Sequence, residues 1–308
     1  MRLYLFIVLC SFSVLCFGQH KVCFSVDDMP VVNYGINDTT YQGELFDGLV
    51  SAFNRNHIPA IGFVNEKKVW NEAGEITFQV NLLNRWINSG LELGNHSYSH
   101  YDYNEISCKD FTDDILKGET ILRKLLLANN KQLKYFRHPF LHIGNTKDKA
   151  DSLAEFLSAH NYTTAPVTID NEDYLFAVAY HRALKKQDSA LVKQIRTDFV
   201  NYIEQKVKYY EKQSLTLFGK DINQILLIHA SKLNSDCIDA LAAMFTKNNY
   251  EFISMDEALK DDVYNTPVTK YGKWGISWID RWALSMGKKG DFFKDEPVTP
   301  DYITKMAE

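Results

Sequence analysis

Short runs rich in β-branched and aromatic residues alternate with longer amphipathic stretches, and this rhythm constrains the fold more than any other feature. The strand-like runs are VCFSV (22–26), AIGFV (60–64), LELG (91–94), YFR (135–137), YTTAPVTI (162–169), ILLIHA (225–230) and FISM (252–255). Helical spacing is found at about 42–56, at 80–90, where Gly90 suits a C-cap, and at 110–130. Helices between successive strands favour parallel pairing, so about seven strands predict an α/β fold, a distorted (β/α) barrel that is closed or nearly closed.

Two segments depart from this alternation. Residues from about 175 to 219 are mostly helical in pattern, and we interpret them as an insertion that lengthens one crossover or forms a helical lid. Residues 261–308 contain KWGISWIDRWALSMGKKGDFF, whose tryptophans we expect to pack in the core rather than against a sugar. We therefore predict one catalytic domain over 19–260, with the helical insertion inside it, and a C-terminal extension over 261–308.

The N-terminus has the pattern of a secretory signal. Arg2 precedes the uncharged run LYLFIVLCSFSVLCF, so we predict a signal peptide over 1–18 with cleavage after Gly18. The alternative is an uncleaved membrane anchor, for which the run is barely long enough. Cleavage predicts a secreted or periplasmic protein without a stable membrane span. It leaves Cys23, Cys108 and Cys237, a spacing that does not indicate a disulfide framework.

The composition is typical of a globular protein and argues against one class of partner. Hydrophobic residues make up 45% and charged residues 24% of the 308, which is enough for a sizeable core. The formal net charge is −5, so there is no general basic field to attract nucleic acid. We therefore expect no nucleic-acid partner, and the composition indicates no particular oligomeric state.

The stretch GNHSYSH (94–100) places His96 and His100 four residues apart. Neutral imidazoles are common ligands of zinc and similar ions, although nine histidines also make a chance pair at this spacing plausible. The metal interpretation therefore needs further donors from elsewhere in the chain.

Two adjacent carboxylates end the first predicted strand. FSVDDMP contains Asp27 and Asp28, and adjacent strand side chains point to opposite faces unless the chain turns. We therefore expect the strand to end there, with Pro30 favouring a turn, so that both carboxylates serve one site. A turn-forming or capping aspartate beside a solvated one is the alternative.

One aspartate and two histidines form a three-ligand set with an open position for water, which is typical of a catalytic metal site. A second carboxylate beside it would be a natural general base. Ser97 occupies the glutamate position of an HExxH zinc motif, so we expect Asp27 to supply the base.

Five short motifs, spread over residues 22–231, resemble those of the polysaccharide deacetylases, carbohydrate esterase family four. SVDDMP is similar to the first motif, which implies Asp27 as the catalytic base and Asp28 as a metal ligand. HSYSH is similar to the second, which implies that His96 and His100 complete the metal site.

FRHPF resembles the third motif of that family. The resemblance implies that Arg137 keeps the catalytic aspartate ionised and oriented, and that Pro139 and Phe140 form a wall of the substrate groove. His138 and His142 flank this motif, and we interpret them as groove residues or supports of the metal site rather than as ligands.

DNEDY resembles the fourth motif, with Asp170 and Asp173 in place and Tyr174 where tryptophan is usual, as a groove wall. ILLIHAS resembles the fifth, which implies His229 as the general acid, paired with Asp173. One departure lies in the first motif, where Met29 replaces the usual glycine. We expect this methionine to narrow the groove or change the local turn.

Together the motifs imply a secreted hydrolase that uses one divalent ion to remove acetyl groups from an N-acetylated or O-acetylated polysaccharide. Zinc is the expected ion, and cobalt or nickel would accept the same ligands. A catalytically inactive carbohydrate-binding protein on the same fold is the alternative function. An esterase or deacylase of small non-sugar substrates would use the same residues, and the sequence does not distinguish one polysaccharide from another.

Overall fold

Strands and helices alternate along the chain as the sequence pattern predicts. The computed structural model describes residues 19–308, and the predicted signal peptide (1–18) lies outside the described residues. The strands are β1 (His20–Val32), β2 (Ile61–Val64), β3 (Trp70–Asn71), β4 (Gly74–Glu75), β5 (Glu92–Asn95), β6 (Tyr135–Phe136), β7 (Thr163–Thr164), β8 (Gln224–Ser231) and β9 (Tyr250–Phe252). The helices are α1 (Thr39–Arg55), α2 (Thr77–Asn88), α3 (Cys108–Lys117), α4 (Thr120–Ala128), α5 (Lys147–Ala159), α6 (Asp173–Lys185), α7 (Ser189–Phe218), α8 (Lys232–Lys247), α9 (Met255–Ala258), α10 (Trp278–Ser285) and α11 (Asp301–Ala307).

Seven strands form one curled parallel sheet in the order β7-β6-β5-β2-β1-β8, with β9 paired to the start of β1. The segment after β7 brings the two edges of this sheet together, because Ile169 pairs with Leu226 of β8. The N–H of Ile169 donates to the carbonyl of Ile225, and its own carbonyl accepts from Leu227. The predicted α/β class and distorted (β/α) barrel are confirmed. Each of the seven predicted strands overlaps one strand of this sheet, although the last, 252–255, shares only Phe252 with β9.

The strands are apolar on both faces because helices cover the outside and side chains fill the inside. Phe24 of β1 packs edge-on against Phe53 of α1 and Phe245 of α8, outside the sheet. Its neighbour Cys23 belongs to a separate inner cluster with Ile61, Phe63, Tyr135, Ala165, Ile225, Ile253, Met255 and Ala258. Successive side chains of β1 thus alternate between two buried faces, and this explains why the sequence of the first strand is a continuous apolar run.

The structure adds elements that the pattern did not reveal. β3 and β4 form a hairpin whose strands are too short to show an alternation, and α5 fills the crossover between β6 and β7. The single helix predicted at 110–130 is divided into α3 and α4. The break occurs at Gly118, where a Cβ would lie 2.7 Å from the carbonyl carbon of Ser97, so a side chain there would collide with the histidine loop.

The insertion and the C-terminal extension, which depart from the predicted alternation of strands and helices, are both part of the folded body. Helices α6 and α7 occupy the predicted insertion, and α10 and α11 belong to the extension. Trp278 and Trp282 of α10 are buried, which confirms the packing interpretation for these two, whereas Trp274 is 42% exposed. None of the helices within residues 19–308 is long and apolar enough to span a membrane.

We predict that Trp282→Ala lowers the free energy of unfolding by about 3–5 kcal/mol, the range for truncating a buried large aromatic residue. Trp282 is 1% exposed, packs edge-on against Phe218 and Tyr264, and donates from Nε1 to the carbonyl of Thr266 at 3.0 Å. Urea unfolding measures the change. Trp274→Ala is the matched control and should cost less than about 1 kcal/mol, and a loss for Trp282→Ala as small as that of the control would contradict the packing of Trp282 in the core.

Candidate active site

The adjacent aspartates lie in a bulge of β1. The strand continues beyond them, but between two paired positions it has one residue more than β2. This extra residue, together with the left-handed backbone of Asp28 (φ 65°), lets consecutive side chains face the same cavity. The prediction that the strand ends at Asp27 and Asp28 is therefore wrong, because a bulge rather than a strand end brings the two carboxylates together.

Asp28, His96 and His100 come together at this bulge. One potential ligand atom from each residue lies within 4.8 Å of the others. The Nδ1 of His96 is 2.8 Å from the carbonyl oxygen of Arg137, which accepts a hydrogen bond from a protonated Nδ1 and leaves Nε2 free to bind an ion. The Nε2 of His100 lies 3.8 Å from Oδ1 of Asp28. One carboxylate and two imidazoles fit a divalent transition metal such as zinc.

The protonation states of these three groups suit metal binding. Burial lowers the pKa of His96 to about 4, and burial together with the neighbouring His96 lowers the pKa of His100 to about 4. Both imidazoles are therefore neutral at physiological pH. Burial alone would raise the pKa of Asp28, but Lys68 and His100 lower it well below its ordinary value, so this carboxylate is ionised.

Polar contacts hold the loop that carries the two histidines. Ser97 and His100 have left-handed backbone conformations, and the N–H of His100 donates to Oγ of Ser97 at 3.0 Å. The Asp114 carboxylate of α3 accepts from the N–H groups of Tyr98 and Ser99 at 3.1 and 2.8 Å. The loop is therefore arranged by the protein's own hydrogen bonds.

Lys68 is a neighbour of the site that sequence reasoning missed. Its Nζ donates to the backbone carbonyl of Asp28 at 2.7 Å and lies 3.8 Å from the Oδ2 of the same residue. The ammonium therefore holds the left-handed backbone at Asp28 and offsets part of the carboxylate charge. Lys68 lies in a short 3₁₀ turn after β2 and belongs to none of the five motifs, so no sequence signal pointed to it.

Asp27 is held by a buried arginine. Nη1 of Arg137 is 3.3 Å from both carboxylate oxygens, Nη2 donates to Oγ of Ser25 at 2.9 Å, and Nε donates to the carbonyl of Ala165 at 2.8 Å. Oδ2 of Asp27 is 3.7 Å from Nε2 of His96. Arg137 thus orients the aspartate as the resemblance implies. However, burial outweighs the arginine charge, and the pKa of Asp27 is raised rather than lowered.

His229 and Asp173 form a second acid–base pair facing the first. Nδ1 of His229 is 2.7 Å from one oxygen of Asp173, and its backbone N–H donates to the other at 2.8 Å. Asn234, which sequence reasoning missed, donates to the same carboxylate at 2.7 Å. Burial alone would lower the pKa of His229, but the charge and hydrogen bond of Asp173 raise it to about 9. His229 pairs with Asp27 across adjacent strands, so both side chains reach the same cavity.

One cavity of about 780 Å³ is lined by Asp27, Asp28, His96, His100 and His229. Phe140 and Tyr174 also line it and are 50% and 48% exposed, whereas Pro139 is buried and lies outside the lining. Met29 is fully buried, with its side chain against Gly62. The expectation that Met29 narrows the groove is therefore wrong, because the bulge directs this side chain into the core.

The two histidines that flank the third motif lie apart from the cluster around Asp28. His142 lines the cavity, with Nδ1 2.7 Å from Oδ1 of Asp102. His138 is buried, and its Nδ1 has no hydrogen-bond partner within residues 19–308. Burial lowers the pKa of His138 to about 3, so it is neutral.

The insertion and the extension complete the cavity wall. Lys206 of α7 lines the cavity, as do Gly275, Ile276, Glu296 and further residues of the extension. Sequence reasoning recognised the insertion and the extension as separate segments but identified none of these side chains. A lysine in an amphipathic helix rich in lysines carries no signal that distinguishes it from a solvent-exposed one.

Sequence comparison identifies the family. Residues 16–158 match the sequence model of the family described as polysaccharide deacetylase. This part of the chain belongs to the polysaccharide deacetylase family. No curated protein sequence matches the chain.

Solved structures resemble this chain in fold. A mutant of a family 4 carbohydrate esterase pseudoenzyme from Bacillus anthracis is 15% identical, with a TM-score of 0.51 over 78% of this chain and 67% of its own. A mutant of that pseudoenzyme with restored enzymatic activity is also 15% identical, with a TM-score of 0.50 over 78% and 68%. A peptidoglycan N-acetylglucosamine deacetylase is 16% identical, with a TM-score of 0.51 over 79% and 89%. At such low identity these matches show the fold alone.

We predict that His100→Ala weakens zinc binding at least about 100-fold, because losing even a group that supports a ligand costs about 10–100-fold. Competition with a chelating dye measures the affinity. His142→Ala is the control, since it removes an imidazole that lines the same cavity but bonds Asp102. A similar loss in both variants would contradict the assignment of His100 as a ligand.

We predict that Asp173→Asn lowers the pKa of His229 from about 9 by at least about one unit, because the variant loses the charge that opposes burial. NMR titration of the histidines in the metal-free protein measures this pKa. In the wild type the charged pair stabilises the fold fully below about pH 6.5, the ordinary histidine pKa, and its contribution is lost as pH rises through about 9. Glu172→Gln, one residue away, should leave the value nearly unchanged, and an equal shift would refute a specific pair.

Proposed function

We propose that the protein is a metal-dependent deacetylase that hydrolyses acetyl groups on a polysaccharide. The observation that carries the proposal is that one cavity holds an Asp-His-His ligand set between two opposed acid–base pairs. Asp27 with Arg137 is one pair, and His229 with Asp173 is the other. A fold shared with a pseudoenzyme does not decide activity, whereas these residues bear directly on it.

Asp28, His96 and His100 would hold the ion. A divalent metal bound there would supply Lewis acidity, lowering the pKa of a water molecule and drawing electrons from the acetyl carbonyl oxygen. Zinc suits one carboxylate and two imidazoles, and cobalt or nickel would accept the same donors.

Asp27 would be the general base. Its carboxylate accepts the proton of the attacking water as the water oxygen adds to the acetyl carbon. Arg137 holds both carboxylate oxygens at 3.3 Å, which keeps them in one orientation. A buried base with a raised pKa binds that proton more strongly than a solvated carboxylate does.

His229 would be the general acid. The bond between the acetyl carbon and the leaving nitrogen or oxygen breaks, and the leaving atom takes a proton from Nε2 of His229, giving acetate and a free amine or hydroxyl. An amine leaves poorly without this proton, so the acid must be charged before the bond breaks. Asp173 favours that charged form and binds Nδ1, which directs the remaining N–H of the ring into the cavity.

The substrate we propose is an acetylated polysaccharide rather than a small ester. The cavity is open, and Phe140 and Tyr174 at its rim are about half exposed. Aromatic side chains at such positions offer flat apolar faces to sugar rings.

We also propose that the protein is secreted or periplasmic, on the basis of the sequence pattern of residues 1–18. Cleavage after Gly18 gives a mature chain that begins at Gln19, and mass spectrometry of the exported protein would detect it. Retention of residues 1–18 in that protein would contradict the proposal.

Acetate release from a panel of N-acetylated and O-acetylated glycans tests the reaction. The mature protein should lose activity on chelation and regain it when zinc or cobalt is added. Asp27→Asn should lower turnover at least about 100-fold, the usual minimum for loss of general base catalysis, while binding zinc as tightly as the wild type.

Other results would point elsewhere. Stoichiometric metal with no acetate release from any glycan would favour the inactive carbohydrate-binding alternative. Release that survives in Asp27→Asn would remove this residue from the mechanism. Release from small esters alone would replace the polysaccharide as substrate.

A further inference from the structure

One wall of the cavity contains an ion pair that the proposed chemistry does not use. Lys206, from the insertion, and Glu296, from the extension, both line the cavity that holds Asp28 and His229. Nζ of Lys206 lies 2.5 Å from Oε1 of Glu296. Neither residue belongs to a motif or to residues 16–158, which match the family model.

The ammonium of Lys206 is held firmly at this wall. Lys206 is 5% exposed, and its Nζ lies 5.9 and 5.4 Å from the ring centres of Tyr202 and Tyr210. The hydroxyl of Tyr210 is 3.3 Å from both Oε1 of Glu296 and Oδ2 of Asp280, which joins the pair to α10. The Lys206 side chain is buried and that of Glu296 is 39% exposed. Such an ion pair contributes little net stability, so stability alone does not account for a charged pair on a cavity wall.

Carboxylates outnumber cations on this wall. Asp170, Glu172 and Glu296 line the cavity beside the single ammonium of Lys206. Burial raises the pKa of Asp170 to about 6, against the opposing effect of Lys206, so this carboxylate is still mostly charged at pH 7. The whole chain is also acidic, with a formal net charge of −5. The wall therefore offers one strong hydrogen-bond donor, the ammonium of Lys206, among several carboxylate acceptors, and negative side chains outnumber positive ones on it.

We propose that the Lys206–Glu296 pair determines substrate specificity by binding the hydroxyl groups of an uncharged sugar next to the acetylated one and by excluding sugars that carry a carboxylate. This inference rests on the proposed function, since it places a neighbouring sugar beside the Asp28 cluster. A hydroxyl group can accept from the ammonium and donate to a carboxylate at the same time, which matches the mixed wall. A substrate carboxylate would face three like charges within one cavity, and this repulsion costs affinity.

Two oligosaccharides of equal length and acetylation test the proposal, one built only of N-acetylglucosamine and one with a carboxylate on alternate units. Dissociation constants are measured by calorimetry on the zinc-loaded protein in the Asp27→Asn background, so that turnover does not interfere. We expect the neutral oligosaccharide to bind at least about 10-fold more tightly than the anionic one. Equal affinities would overturn the proposal.

Variants at both positions separate the two parts of the proposal. Lys206→Met should weaken binding of the neutral oligosaccharide about 10-fold, because it removes a charged donor. Glu296→Gln should reduce the preference for the neutral probe about 5-fold, because one repelling charge is lost. Glu296→Gln changes a partly exposed side chain and keeps its size, so it remains informative if Lys206→Met does not fold.

The same helix supplies the controls. Lys208 and Glu204 form a solvent-facing ion pair at 2.7 Å on α7. Lys208→Met and Glu204→Gln should leave both dissociation constants unchanged. If Lys206→Met and Lys208→Met behave alike, Lys206 does not bind the sugar and the proposal fails.

A small acetyl ester distinguishes this failure from failure of the proposed function. 4-Nitrophenyl acetate has no neighbouring sugar, so its hydrolysis tests the metal centre without the proposed sugar contacts, and Lys208→Met in an otherwise wild-type chain should hydrolyse it at the wild-type rate. If the wild type releases no acetate from this ester or from any glycan, the hydrolase proposal fails. The oligosaccharide affinities then still decide the role of the Lys206–Glu296 pair.

Discussion

A single buried guanidinium connects the strands and loops that carry the site. Arg137 follows β6, and its donors reach Ser25 and Asp27 of β1 and the carbonyl of Ala165 after β7. Its own carbonyl fixes the ring of His96 at 2.8 Å. A buried charge needs all of these partners, because removing even one leaves part of the charge uncompensated. The same interactions that satisfy the arginine therefore also align the base and the metal ligand, and they connect β1 with the ends of β5, β6 and β7.

Much of the barrel could be predicted because each main-sheet strand is a short apolar run between amphipathic helices. The pattern did not predict the β3–β4 hairpin, whose strands are two residues each and show no alternation. It also did not predict the helix break at Gly118. A glycine is required there because the backbone of Ser97, distant in sequence, leaves no room for a side chain. Local periodicity predicts elements, but it does not predict contacts that form only when the chain is folded.

The candidate site was likewise predictable where it depends on local motifs and not where it depends on contacts made on folding. Asp28, His96 and His100 lie in recognisable motifs, and the structure brings them together. The backbone geometry that brings Asp28 to the histidines differs from the expected one, because Asp28 lies in a bulge of β1 rather than at the end of the strand. Lys68 and Asn234 carried no sequence signal, because each acts through a contact made in space. The pKa of Asp27 also could not be predicted, since it depends on how far burial outweighs the neighbouring arginine.

The cavity draws on parts of the chain that are synthesised at very different times. The ligand set and the base lie within the first hundred residues, the acid follows at His229, and Glu296 lies close to the C-terminus. A growing chain therefore contains the metal-binding residues long before it contains the wall that surrounds them. Since α10 and α11 pack into the same body as the barrel, the cavity can close only after the extension has been synthesised. A complete binding surface therefore forms later than the metal-binding residues that it surrounds.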